Sequence, residues 1–268
     1  MTAIAVTIAG SDSSGGAGIQ ADLKTFSALG VYGASVITAL TAQNTRGVTG
    51  IHDVPPEFVT AQIDAVFSDL DVGAVKIGML SNAAIIAAVA SALERYRQTN
   101  IVLDPVMVAT SGDRLLTPDA IDQLRRLLIP KALVVTPNLP EAAALLDTAM
   151  AEDEAVMRHQ AHRILKLGAK AVLIKGGHDD GPESTDLLVE PNTTTRLSAE
   201  RIATRNTHGT GCSLSSAVAA GLARGLDLEA AVRAAKNFVT AAIAAADDLG
   251  VGRGHGPIHH FHATPKSR

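Results

Sequence analysis

The chain has 268 residues, 47% of them hydrophobic and 19% charged, with a formal net charge of −4. This length suits one or two domains, the composition excludes global disorder, and the lack of any Lys/Arg block argues against a nucleic-acid groove or an anionic membrane as partner. A single cysteine, Cys212, excludes an internal disulfide or paired-thiol site and points to an intracellular, cytoplasmic protein, and no apolar run approaches the roughly 20 residues of a membrane span. Along the chain, short β-branched runs alternate with longer Ala/Leu-rich ones, the rhythm of β-α-β units around a parallel sheet. Ile4–Ala9 has no basic residues before it and a Gly/Ser cluster after it, so it reads as a strand and not as a signal segment. A helix is expected at Gly18–Leu29, a strand at Ala34–Ala39 and a helix at Pro56–Leu70. A strand at Ala74–Gly78, a helix at Asn82–Arg97, a strand at Ile101–Asp104 and a helix at Pro118–Leu128 follow. Next come a strand at Leu133–Thr136, helices at Pro140–Leu146 and Asp153–Leu167, and a strand at Ala171–Lys175. Within Ser184–Thr204 the rhythm breaks, and Asp186–Glu190 and Thr195–Leu197, flanking Pro191-Asn192, predict an antiparallel hairpin late in the sheet. Helices at Thr210–Arg224 and Leu228–Leu249 close the series. The strands lack strict polar alternation, as in a sheet covered on both faces, and no linker divides the chain, so a single α/β domain is expected.

Ligands of an open parallel sheet gather at the carboxyl ends of its strands, which directs attention to polar residues just after apolar runs. The first such place is Gly10-Ser11-Asp12-Ser13-Ser14-Gly15-Gly16-Ala17-Gly18, a Gly/Ser turn that is neither a P-loop nor G-x-G-x-x-G and serves equally as a tight strand-to-helix connection. The sharpest is Asn206-Thr207-His208-Gly209-Thr210-Gly211-Cys212, which runs straight into a helix. Glycines at 209 and 211 let successive amides converge, and the helix N-terminus adds positive potential, so Gly209, Thr210 and Gly211 suit a transferred phosphoryl group. Cys212 lies in the first turn of that helix, where the dipole lowers a thiol pKa and makes it a candidate base; a small cysteine that merely packs is the plainer reading.

Asp104 ends one strand, and Asn138 and Glu141 follow another at a spacing of three, where they could hold a hydrated Mg²⁺ or simply cap a helix. Lys175-Gly176-Gly177-His178 places a lysine at a strand end, to meet a phosphate or only solvent. Four imidazoles fall within residues 255–262, but Gly and Pro set no helical face there and no carboxylate or thiol completes a shell, so a packed or solvated terminal segment is expected.

Taken in order, these motifs resemble the ribokinase-like superfamily, and within it the hydroxymethylpyrimidine/phosphomethylpyrimidine kinases of thiamine biosynthesis. The landmarks are Ile8 to Asp22, Thr38 to Thr45, Lys76-Ile77-Gly78-Met79-Leu80, Leu103 to Met107, Thr136-Pro137-Asn138 with Glu141, Lys175 to His178 and Asn206 to Cys212. The resemblance implies a three-layer α-β-α fold with a mostly parallel central sheet, and ATP-dependent phosphorylation of 4-amino-5-hydroxymethyl-2-methylpyrimidine and then of its monophosphate. It places Gly10, Asp22, Gln43, Met79, Val106 and Cys212 against the pyrimidine, with Cys212 as base. Asp104, Asn138 and Glu141 would organise Mg²⁺ and the nucleotide, with Lys175 and Thr207 near phosphate, and Val108–Leu115 would serve as a flap that excludes water. A homodimer is compatible with it. Pyridoxal kinases share the Gly-Thr-Gly-Cys turn and are the nearer rival, against which Gln43 and Met79 favour a pyrimidine. The farther rival, a nucleotide-binding regulator without catalysis, is disfavoured by the intact Asp104, Asn138, Glu141 and Cys212.

Overall fold

The computed structural model describes residues 1–107, 115–177 and 181–264. In chain order its elements are β1 (Ile4–Ala9), α1 (Gly18–Ala28), β2 (Tyr32–Ile37), β3 (Ala39–Asn44), β4 (Gly47–Asp53), α2 (Pro56–Phe67) and β5 (Ala74–Ile77). Then follow α3 (Ala83–Arg95), β6 (Ile101–Leu103), α4 (Pro118–Gln123), β7 (Val134–Val135), α5 (Leu139–Leu146), α6 (Glu154–Leu165) and β8 (Ala171–Lys175). The series ends with β9 (Glu183–Val189), β10 (Thr194–Glu200), α7 (Thr210–Ala223) and α8 (Leu228–Ala244).

Successive side chains of a strand point to opposite faces, and here each central strand feeds two cores. Val6 and Ile8, Val75 and Ile77, Ile101 and Leu103, and Val172 and Ile174 enter one core, where α2 to α6 pack. Ala5, Ala74, Val102, Val134, Ala171 and Leu173 enter the other, beneath α1, α7 and α8. The result is a three-layer α-β-α sandwich around an eight-stranded sheet of order β10-β9-β8-β7-β6-β5-β1-β2. Strands β1, β2 and β5 to β8 run parallel, and β9 is antiparallel to both β8 and β10. The late hairpin therefore stands where Pro191-Asn192 places it.

Two expectations need correction. The strand expected at Ala34–Ala39 ends at Ile37, and Ala39 instead opens β3, which pairs with β4 in a separate two-stranded hairpin. Only Ala39 and Thr41 of β3 face inward and β4 is largely exposed, so neither carries the apolar run that marks the other strands. The helix expected over Pro118–Leu128 is α-helical only to Gln123 and widens into a π turn at Leu124–Leu128, which keeps both Leu124 and Leu128 buried. The flap expected at Val108–Leu115 lies outside the described residues except for Leu115, as does His178. Among the described residues no helix is long and apolar enough to cross a membrane.

The histidine-rich terminal segment is packed. The Gly256 carbonyl accepts from the His208 amide at 3.0 Å, and the Thr45 carbonyl, at the tip of the β3–β4 hairpin, accepts from the His255 amide at 2.8 Å. His260 is buried, with Nε2 2.8 Å from Ser213 Oγ on α7. Burial, reinforced by the charge of Lys24 and the neighbouring imidazoles, pulls its pKa down to about 4. The unfolded chain then takes up this proton first, so stability is lost as pH falls from about 6.5 to 4, by about 3 kcal/mol for this group alone. Thermal unfolding across that range should show a shallower pH dependence for His260→Gln than for the unaltered chain; equal slopes would contradict this origin.

Candidate active site

The carboxyl ends of β1, β5, β6, β7 and β8 form one rim, and nearly every residue singled out in the sequence lies along it. At the end of β1 the first Gly/Ser turn folds around a buried carboxylate. Asp12 accepts from the amides of Ser14, Gly16 and Ala17 at 2.8, 3.1 and 2.8 Å, and from the Ser14 hydroxyl at 2.8 Å. His208 Nε2 lies 2.8 Å from Asp12 Oδ2, so the carboxylate joins the first turn to the second across 196 positions of sequence. Burial alone would raise the Asp12 pKa, but the hydrogen bonds from His208, Ser14 and Ala17 outweigh it and hold the carboxyl well below its usual range.

Gly10, at the start of this turn, is pressed against Met79: a Cβ there would lie 2.9 Å from Met79 Sδ. Hairpin β3–β4 is sewn to the same turn through Ser13, whose hydroxyl donates to the Gln43 carbonyl at 2.8 Å and accepts from the Gln43 amide at 2.9 Å. Thr41 Oγ1 lies 2.8 Å from the Ser11 carbonyl and 3.1 Å from Gln43 Oε1, which restrains the Gln43 side chain. Gln43 and Val106 remain half-buried on the rim. The Asp22 carboxylate lies beneath the rim, fully buried and taken up by Lys76, Thr7 and Ser216.

Further along, Lys175 Nζ lies 2.8 Å from Asp104 Oδ1 and 3.9 Å from Glu141 Oε2. Asp104 also accepts from Thr136 and Ser215, both at 3.1 Å. Burial would lower the Lys175 pKa, but Asp104 and Glu141 outweigh it and keep the ammonium charged. Asp104 stays ionised because Lys175 and Lys76 overcome the burial that would raise it. Burial, aided by the Asp104 charge, pushes the Glu141 carboxyl up to about 7 against the pull of Lys175. The capping reading of Asn138 and Glu141 holds: each side chain accepts from the other's amide at 2.8 Å, a reciprocal cap on α5. The Asn138 side chain is therefore committed to the helix, while the Glu141 carboxylate still faces Lys175.

The second turn reaches the same place. Gly209, with φ of 80°, caps α7, whose first intrahelical bond runs from the Ser213 amide to the Gly209 carbonyl at 2.9 Å. The Thr210 amide and hydroxyl both turn back to the Thr207 carbonyl, at 3.2 and 2.7 Å, so Thr210 shapes the turn from within. This leaves the Gly211 and Cys212 amides as the helix-end donors free of intrahelical bonds. A Cβ on Gly211 would lie 3.2 Å from Lys175 Nζ and 3.9 Å from Asp104 Oδ2, so these donors open directly beside the Lys175–Asp104 pair.

Cys212 is half-buried, and its thiol accepts from the Gly18 amide at the start of α1. Its pKa does not fall as a helix N-terminus alone predicts. Burial pushes it up to about 11, with the Lys76 charge and the Gly18 amide opposing and Asp22 and Asp104 adding to the rise. The sequence reading names Asp12, His208 and Lys76 within its motifs but gives none of them a role of its own. A lysine inside the apolar run of β5 is a signal for the last, because a buried ammonium requires a partner; the Asp12–His208 pair has no local signal at all.

The chain matches the phosphomethylpyrimidine kinase family over residues 12–259. It is 65% identical over 262 residues to a hydroxymethylpyrimidine/phosphomethylpyrimidine kinase of Rhizobium meliloti, covering 98% of both chains. Among solved structures it is similar to phosphomethylpyrimidine kinase from Clostridium difficile, with a TM-score of 0.80 and 46% identity over 90% of this chain and 99% of the other. It is also similar to an ADP complex of Bacillus subtilis pyridoxal kinase, with a TM-score of 0.91 and 37% identity over 98% of this chain and 99% of the other. By sequence along nearly its whole length, and by its ribokinase-like fold, the chain belongs to the phosphomethylpyrimidine kinase family.

Proposed function

We propose that this kinase transfers the γ-phosphoryl group of ATP to the hydroxymethyl oxygen of 4-amino-5-hydroxymethyl-2-methylpyrimidine, and then phosphorylates the resulting monophosphate, in thiamine biosynthesis. The observation that carries this reading is the convergence of the α7 amide donors with Lys175 and Asp104 at one point of the rim. Phosphoryl transfer needs little covalent chemistry from the protein; it needs the phosphates positioned and the developing charge neutralised. The Gly211 and Cys212 amides and the Lys175 ammonium supply fixed positive potential where that charge develops.

The donor set also fits Mg²⁺. Among the described residues no group of three or more His, Cys, Asp or Glu side chains forms a cage. Mg²⁺ typically takes only one or two carboxylates and completes its shell with water and nucleotide phosphates, and Asp104 and Glu141 are two carboxylates on that rim. The ion would neutralise the leaving phosphate. Beside the anion turn, Met79 and Val106 offer an apolar face to the ring, and the Gln43 amide, held by Thr41, can donate to and accept from an aminopyrimidine edge. Cys212, at the head of α7, receives the alcohol proton.

Higher identity to the pyrimidine kinases than to pyridoxal kinase favours the pyrimidine as substrate, although both share the fold. An ATP-consumption assay with hydroxymethylpyrimidine and with pyridoxal under identical conditions tests this, and faster turnover of pyridoxal would reverse the assignment. Gln43→Ala should raise the KM for the pyrimidine more than the KM for ATP; equal increases would remove Gln43 from the ring site.

A further inference from the structure

Beneath Cys212 lies a buried ion pair that the proposed chemistry does not use. Lys76, on β5, is fully buried and donates to both Asp22 oxygens at 2.9 Å. Asp22 also accepts from Thr7 Oγ1 and from Ser216 Oγ, both at 2.6 Å. Thr7 and Lys76 are register partners on the adjacent strands β1 and β5, so the two strands together present donors to one carboxylate. The geometry repeats along the helices. Asp22 follows Gly18 by one turn on α1, and Ser216 follows Cys212 by one turn on α7, so residues four apart share a face. One rung joins Gly18 to the Cys212 sulfur, and the next joins Asp22 to Ser216.

We propose that Lys76 is a positioning residue for the phosphoryl transfer: it fixes Asp22, and through Asp22 and Ser216 the register of α1 on α7, so that the Cys212 sulfur is held against the Gly18 amide with a fixed cation beneath it. A buried ion pair is weak support for stability, because two charges must be desolvated to make it, which leaves a role in placement and charge as the better account of its presence. The charged groups facing Cys212 are Lys76 from β5, Asp22 from α1, Asp104 beyond β6 and Lys175 from β8. Of these, Lys76 lowers the cost of a thiolate and Asp22 raises it. The inference rests on the reading of Cys212 as the base.

Because Cys212 is the only cysteine, its ionisation can be followed by the ultraviolet absorbance of the thiolate, read against Cys212→Ser as background. Lys76→Met should raise the titration midpoint by about one pH unit, and Asp22→Asn should lower it by about as much. Lys76→Met should also reduce kcat about tenfold with KM unchanged. Simple loosening of the packing would expose the thiol and lower its midpoint in either variant, so a rise on loss of Lys76 marks the charge. If Lys76→Met does not fold because Asp22 is left unpaired, Asp22→Asn with Lys76→Met is compared with Asp22→Asn alone, and the midpoint should again be higher without the lysine. An unchanged or lowered midpoint on removing Lys76 overturns the proposal. Failure of the base reading shows itself separately, as retained turnover in Cys212→Ala, and would leave these midpoints where they are.

Discussion

Replacing Cys212 by alanine is expected to lower kcat by about 10²- to 10⁴-fold while leaving the affinity for ATP little changed. The sulfur sits in the first turn of α7, whose amides open beside the Lys175–Asp104 pair, so on the proposed reading a group there would meet the acceptor alcohol and not the nucleotide base. With its thiol pushed up to about 11, Cys212 is mostly protonated at neutral pH, and in the proposed mechanism only the minor thiolate fraction would act as base. Below that value log kcat should therefore climb with pH at up to about one unit per pH unit, and the slope should vanish in Cys212→Ala. Steady-state kinetics of both forms at several pH values measure this. Near-normal turnover in the alanine variant, or a flat profile in the unaltered enzyme, removes Cys212 from the role.

The second large effect concerns the backbone. Gly209→Ala should abolish activity and destabilise the protein by about 3–5 kcal/mol, because two costs coincide. At φ of 80° an L side chain is strained, and the added Cβ would sit 1.9 Å from the Gly16 carbonyl, a backbone atom that cannot step aside without opening the first turn. Gly225→Ala is the matched control: φ there is 84°, yet nothing lies within 4 Å of the new Cβ. It should cost about 1 kcal/mol and keep activity. Chemical denaturation and turnover of the two variants give the comparison; similar losses in both would show that conformational strain, and not the meeting of the two turns, governs the site.

The sheet and its helices were legible because buried strands such as β1, β5 and β8 are continuous apolar runs, and because prolines and glycines mark the helix ends. The β3–β4 hairpin was not, since β4 buries almost nothing and so leaves no periodic trace. Within the site, Gly209, Gly211, Cys212, Asp104 and Lys175 could be read locally, from their positions at strand and helix ends. Local reading failed where burial decides the outcome. The helix dipole at Cys212 predicted an acidic thiol, whereas desolvation is the larger effect, and the partners that Asp22 finds on β1, β5 and α7 leave no mark in the local sequence. Asn138 shows both readings at once, with its side chain spent on the cap and its Glu141 partner still turned toward Lys175.

The clasp that residues 254–260 form over His208 and Ser213 also bears on how the molecule is made. The first turn needs His208 to complete the shell of Asp12, and His208 in turn relies on Gly256, so the meeting of the two turns stays unfinished until residue 256 is free to pack. Such distant pairings slow folding, because the loop between them must close before any contact rewards it. A nascent chain that has already wound its early strands and helices would thus still lack this closure, and the two turns would lock together only once residues separated by most of the fold have met.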